Sequence, residues 1–201
     1  MPVTARYIKS VMSIQARKFK HTVATVFAVV TFSLPLHGAA WADLALQESL
    51  LDQLRGATPE DSKRIARQLT REWAKSGSAA MDLLLKRGND ALKGKDMAAA
   101  IEHFSAAIDH APDFAEAYVG RAVAYYHSNK YGPAVADLEQ ALALNPNHYG
   151  AIRGLGAVFE SIGRPKRAYE AYQQVLDIHP HDPEVLEAVK RLENTALGQK
   201  L

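Results

Sequence analysis

Three histidines carry the strongest case for chemistry in this chain. His179 and His181 flank Pro180, and His148 closes the earlier turn Asn145-Pro146-Asn147. Imidazoles on one edge can ligate zinc or copper, but such sites also draw on carboxylates or thiolates, and none is spaced to join them. Exposed turn residues account for the same pattern, so no metal ligand and no cofactor are expected. His103, His110 and His127 read as helix-surface or groove residues. The carboxylates are scattered rather than paired. Cysteine is absent, which removes a thiol nucleophile, cysteine-ligated metal and a disulfide scaffold. Gly154-Leu155-Gly156 follows no strand and is no dinucleotide fingerprint, and neither G-x-S-x-G nor H-E-x-x-H occurs. No catalytic residue is expected, and the chain does not read as an enzyme.

The chain has 201 residues, 24 of them Lys or Arg and 22 Asp or Glu, for a formal charge of +2. That surplus is local. Residues 1–42 hold Arg6, Lys9, Arg17, Lys18 and Lys20 and no acid. An uncharged apolar run follows from Thr22 to Leu36, then Ala40-Trp41-Ala42. A basic start, a short apolar core and an A-x-A end describe a cleaved secretory leader, with Asp43 as the first mature residue and Met12 as a second possible start. The competing reading, an uncleaved anchor, meets a run short of the ~20 residues a span needs. Without the leader, 19 bases face 22 acids, a net −3. The remaining bases alternate with acids, as on a solvated helix face, and nucleic acid is not an expected partner. The expected location is the periplasm, with no stable membrane insertion after cleavage. The missing cysteines exclude a lipid anchor and suit an oxidising compartment.

Those elements are organised by a period of 34 residues. Pro112, Pro146 and Pro180 keep that interval, as do Ala100, Ala134 and Ala168; Phe104, Leu138 and Tyr172; and Gly88, Ala122 and Gly156. Within each period the apolar residues recur at three- and four-residue steps, the signature of two amphipathic helices. The period and residue types resemble the tetratricopeptide repeat. Three units are read: 81–114, 115–148 and 149–182. The second offers Tyr118, Ala122, Tyr125, Ala134, Leu138, Ala141 and Pro146; the third offers Leu155, Gly156, Phe159, Gly163, Ala168, Tyr172 and Pro180. The first departs from the family at Ala91 and Arg87, and Arg121 repeats the latter departure, which predicts partly exposed arginines. The small residues are expected at helix crossings, where a larger side chain overpacks at about 1–3 kcal/mol. Ser128-Asn129-Lys130 and Ile162-Gly163-Arg164 mark turns inside units. Pro133 and Pro165 suit the first turn of a helix.

The resemblance implies an all-α, right-handed helical solenoid. Residues 43–80 read as a helical hairpin, with Leu44–Leu54 amphipathic and Thr58-Pro59-Glu60-Asp61 opening a second helix toward Ser76. The hairpin either caps the array or docks another protein, with Trp73 as the candidate anchor. Residues 183–201 read as a cap helix, started by Asp182-Pro183-Glu184, with a frayed tail.

The resemblance further implies that the first helices line a concave groove for a protein or peptide. Asp82, Leu85, Asn89, Leu92 and Lys93 are expected there from the first unit, Val119, Val123, Tyr126 and His127 from the second, and Arg153, Ala157 and Glu160 from the third. Leu85, Leu92, Val119, Val123 and Tyr126 would form an apolar strip, with Leu85 and Val119 equally placed for the core. Arg153 and Asn89 would hold polar or carboxylate groups. Members of the family that clamp a terminal carboxylate place Lys, Asn or Arg at five positions. Here those positions hold Leu85, Asn89, Gly120, Gly150 and Gly154, which argues against that mode. The glycines are expected to leave room for a bulky partner or to loosen the third pair.

The function expected is that of a non-catalytic, exported scaffold or adaptor, similar to short periplasmic tetratricopeptide proteins that maintain the cell envelope. Two alternatives stand beside it: an accessory metal- or cofactor-handling assembly factor using the histidine edge, and a structural homo-oligomer.

Overall fold

The computed structural model describes residues 38–196, with side chains from residue 43. The described residues from Ala45 onward belong to one compact unit. The leader expected over 1–42 lies outside the described residues up to residue 37, as does the tail beyond Ala196. The described residues form nine helices and no strand: α1 (Gly38–Arg55), α2 (Pro59–Trp73), α3 (Ala79–Lys93), α4 (Met97–His110), α5 (Ala115–His127), α6 (Tyr131–Leu144), α7 (Tyr149–Ser161), α8 (Pro165–Ile178) and α9 (Pro183–Ala196). The bond after Ala42, the expected cleavage point, falls inside α1. None of these helices is long and apolar enough to cross a membrane.

Local chemistry sets most boundaries. Thr58 accepts a hydrogen bond from the Asp61 N–H, with Pro59 at the first helical position of α2. Asp182 accepts from the Glu184 and Val185 N–H groups and starts α9. The turns within units pass through Lys95, Asn129 and Gly163, all in the left-handed region at φ 61°, 58° and 69°. These residues are 34 apart, so the backbone repeats as the side chains do. Only the third turn uses the residue type that adopts this conformation without a steric penalty.

Helices α3 and α4, α5 and α6, and α7 and α8 pair as the three units, and α9 packs on α8. The lock between successive helices is a large side chain held between small residues 16 positions to either side. A Cβ built on Gly88 would lie 2.5 Å from the Phe104 ring, and one on Gly120 would meet the same ring at 2.5 Å. Leu138 stands 2.9 Å from the corresponding point on Gly154, with buried Ala122 sixteen residues before it. Tyr172 is 2.5 Å from a Cβ on Gly156, with buried Ala188 sixteen residues after it. Gly120, Gly150 and Gly154 therefore leave no room for a bulky partner: Phe104, His148 and Leu138 already stand against them. The ladder stops at both ends with lysine. Lys86 stands where the later first helices carry Gly120, Gly154 and Ala188, and Lys190 stands where they carry Gly88, Ala122 and Gly156. Both lysines are exposed, and among the described residues no second helix of the array packs on these outer sides.

The hairpin packs along the loops that join the second unit to the third and the third unit to α9. Leu50, Leu51, Leu54, Ile65, Leu69 and Trp73 share one buried cluster with Tyr149, Ile152, Ile178 and Val185. Trp73 stacks on His148, with ring centroids 4.5 Å apart and planes 24° apart. Ser62 meets His179 Nε2 at 2.8 Å, and the Tyr149 hydroxyl donates to the Ala66 carbonyl at 3.3 Å. Residues 62, 66, 69 and 73 lie on one face of α2, so the amphipathic period that makes the helix also chooses its buried side.

Candidate functional site

The first helices α5, α7 and α9 share one face, defined by contacts that jump from one to the next, and α3 lies beside α5. The Tyr126 hydroxyl and Ser161 Oγ are 3.1 Å apart. Arg153 Nη1 donates to Glu184 at 3.1 Å and lies 3.4 Å from Asp182. Arg191 donates to both carboxylate oxygens of Glu160, one at 3.1 Å. Helix α9 is therefore a fourth wall of this face as well as a solvating cap. That role comes from Glu184 and Arg191, neither of which figured among the candidate residues. The signal was present: each ion pair spans 31 residues, one helical turn short of the repeat, and so joins adjacent first helices.

The expected groove residues divide. Val123 is exposed at 37%, and Tyr126 is half-buried beside it. His127 is exposed and lies edge-on to the Tyr126 ring. Asn89 is half-buried on α3. Leu92 and Val119 are half-buried and pack against the core. Leu85 is 4% exposed and belongs to the core, so it does not line the groove. Arg153 and Glu160 reach the shared face, but both are already paired within the chain.

Trp73 is 8% exposed and is not an anchor for another protein; it anchors the hairpin onto its own array. The exposed histidine edge is also overturned. His148 and His179 are buried beneath that hairpin. His148 Nδ1 accepts the Ala151 N–H at 3.1 Å and caps α7, so its Nε2–H donates to Glu116 at 2.7 Å. His179 Nε2 meets Ser62, and its Nδ1 is 3.5 Å from Asp182 without a hydrogen bond. Ser62, His179 and Asp182 thus follow one another in the order of a hydrolytic triad. Ser62 is 1% exposed, however, and a nucleophile needs contact with its substrate. Among the described residues, no group of three or more His, Asp or Glu is placed to hold a metal ion.

Burial works to raise the Asp182 carboxyl, but His179, the Val185 N–H and Arg153 together hold it below the ordinary carboxylate value. Burial, with Glu160 alongside, pushes the Tyr172 hydroxyl up to about 12. Arg121 is partly exposed, as expected, and its inner side forms a bidentate pair with Asp137 at 2.8 Å for both bonds, with a third bond to Ser105 at 3.0 Å. Its guanidinium is raised above its ordinary value by Asp137, against the opposing effect of burial. This pair crosses the same 16-residue step as the packing ladder. It fastens the second unit rather than a partner.

Residues 115–148 match the family model for the tetratricopeptide repeat. A TPR repeat-containing protein of Rhizobium etli is 31% identical over 154 residues, covering 76% of each chain. Small glutamine-rich tetratricopeptide repeat-containing protein 2 of Saccharomyces cerevisiae is 33% identical over 132 residues, 66% of this chain and 37% of the yeast protein. Among solved structures, the first TPR of Spaghetti (RPAP3), bound to the HSP90 peptide SRMEEVD, superposes with a TM-score of 0.57 at 25% identity, covering 61% of this chain and 96% of that one. The Arabidopsis OM64 TPR domain gives 0.56 at 27%, covering 58% and 96%. The period, the paired helices, the shared face and these likenesses agree: the chain belongs to the tetratricopeptide repeat family and is a non-catalytic adaptor for protein–protein interaction.

Proposed function

We propose that this adaptor is exported to the periplasm and holds a protein or peptide segment on the face shared by α5, α7 and α9, with α3 beside it, as part of cell-envelope maintenance. The observation that carries the binding reading is the exposed Val123 beside half-buried Tyr126 at the middle of that face, in a family whose solved neighbour binds a peptide. The basic and then apolar leader ending in Ala40-Trp41-Ala42 supports export. The envelope role rests on likeness to short periplasmic proteins of the same repeat class.

Binding is tested by affinity capture from an envelope extract, comparing the full chain with Val123→Asp and Tyr126→Ala. Loss of the same partner from both variants is expected; identical partner sets would refute the groove. Export is tested by N-terminal sequencing of the mature protein. A start at Asp43 is expected, and retention of residues 22–36 would refute it.

A further inference from the structure

We propose that this face reads internal side chains of a partner without regard to a free chain end, because the chain's own carboxylates occupy the cations that would read a terminus. The proposal rests on the groove reading above and adds the chemical class of its occupant.

A chain-terminal carboxylate needs an available cation or several donors. Arg153 is the one arginine on the third unit's part of the face, and it already faces Glu184 at 3.1 Å and Asp182 at 3.4 Å. Arg191 on α9 is paired with Glu160. At the far end, Lys93 shares Asp90 with Lys86. Two further places from which a cation would reach the face are glycines, Gly120 and Gly154, whose side-chain space is filled by Phe104 and Leu138. At the middle of the face the exposed side chains are the apolar Val123, at 37%, and His127, which lies edge-on to the Tyr126 ring. The fitting occupant is an uncharged internal stretch with an aliphatic or aromatic side chain seated on Val123.

The test offers a pool of short random peptides to the full chain in two forms, one ending in a free carboxylate and one in an amide. Retained material is measured by mass spectrometry. The wild-type chain is expected to retain both forms equally. The double variant Glu160→Gln/Glu184→Gln is expected to shift retention toward the free acid by roughly two- to fivefold, as suits exposed ion pairs. Val123→Asp is expected to lose both forms. A wild-type preference of about tenfold or more for the free acid would overturn the proposal, and so would equal retention by the double variant. In either case, a loss in Val123→Asp would leave the groove reading standing. Retention that Val123→Asp does not change would remove the groove reading itself.

Discussion

The Phe104 ring occupies the place where Gly120 would carry a side chain, 2.5 Å from the ideal Cβ position, and it bears the same relation to Gly88 in its own unit. One buried ring thus spaces two first helices. Gly88→Ala and Gly120→Ala are each expected to destabilise the chain by about 1–3 kcal/mol, less the ~1 kcal/mol that alanine returns as a better helix former. Gly154→Ala should cost less, because it meets the mobile end of Leu138 at 2.9 Å. Urea denaturation of the three variants gives the order; equal costs would show that the ring is not the rigid element.

The Arg121–Asp137 pair makes a different prediction. Arg121→Met leaves the buried Asp137 carboxylate without its counter-charge, at a cost of about 3 kcal/mol, and Asp137→Asn, which leaves only the half-buried Arg121, should cost less. The double variant Arg121→Met/Asp137→Leu should recover most of that loss, since an apolar pair carries no desolvation penalty. A double-mutant cycle by chemical denaturation measures the coupling.

Truncating Trp73 should loosen the hairpin before it loosens the array. Trp73→Ala removes the stack on His148 and the contact with Tyr149, at about 3–5 kcal/mol by comparison with other large core truncations. Amide hydrogen exchange should then rise over residues 59–73 while α5 and α6 stay protected. A uniform rise across both would show that hairpin and array unfold as one.

Two titrations have opposite signs. Asp182 is held below the ordinary carboxylate value, so its stability contribution is complete above about pH 4 and is lost as pH falls through that lowered value. Tyr172 is pushed up to about 12, so its contribution is complete below about pH 10 and is lost as pH rises toward that raised value. Asp182→Asn should flatten the acid limb of a stability–pH profile, and Tyr172→Phe the alkaline limb, each leaving the other unchanged.

The turn residues allow a gain. Lys95 sits at φ 61° where the third unit has Gly163 at 69°. Lys95→Gly should relieve about 1–2 kcal/mol of left-handed strain, against ~0.5–1 kcal/mol of added chain entropy. A small rise in Tm is the expected reading.

Much of this was legible in the residues because the repeat is local. The 34-residue period, the helix starts at Thr58 and Asp182, and the turns at 128–130 and 162–164 depend on neighbours within a few positions. Packing steps of 16 and ion pairs at 31 are also visible once the helices are known to stack. Leu85 was ambiguous because core and groove share one helix face, and a single helix cannot say which neighbour covers it.

By itself the sequence determined an array of three helix pairs with a helix at its end, because amphipathic period, caps and turn residues act over one or two turns of chain. Tertiary structure alone decided where the hairpin lies, and with it the burial of Trp73, His148 and His179. Those contacts join residues about 75 to 117 apart, such as Trp73 with His148 and Ser62 with His179. No local propensity fixes such a pairing; it follows from which apolar faces remain uncovered once the array has formed.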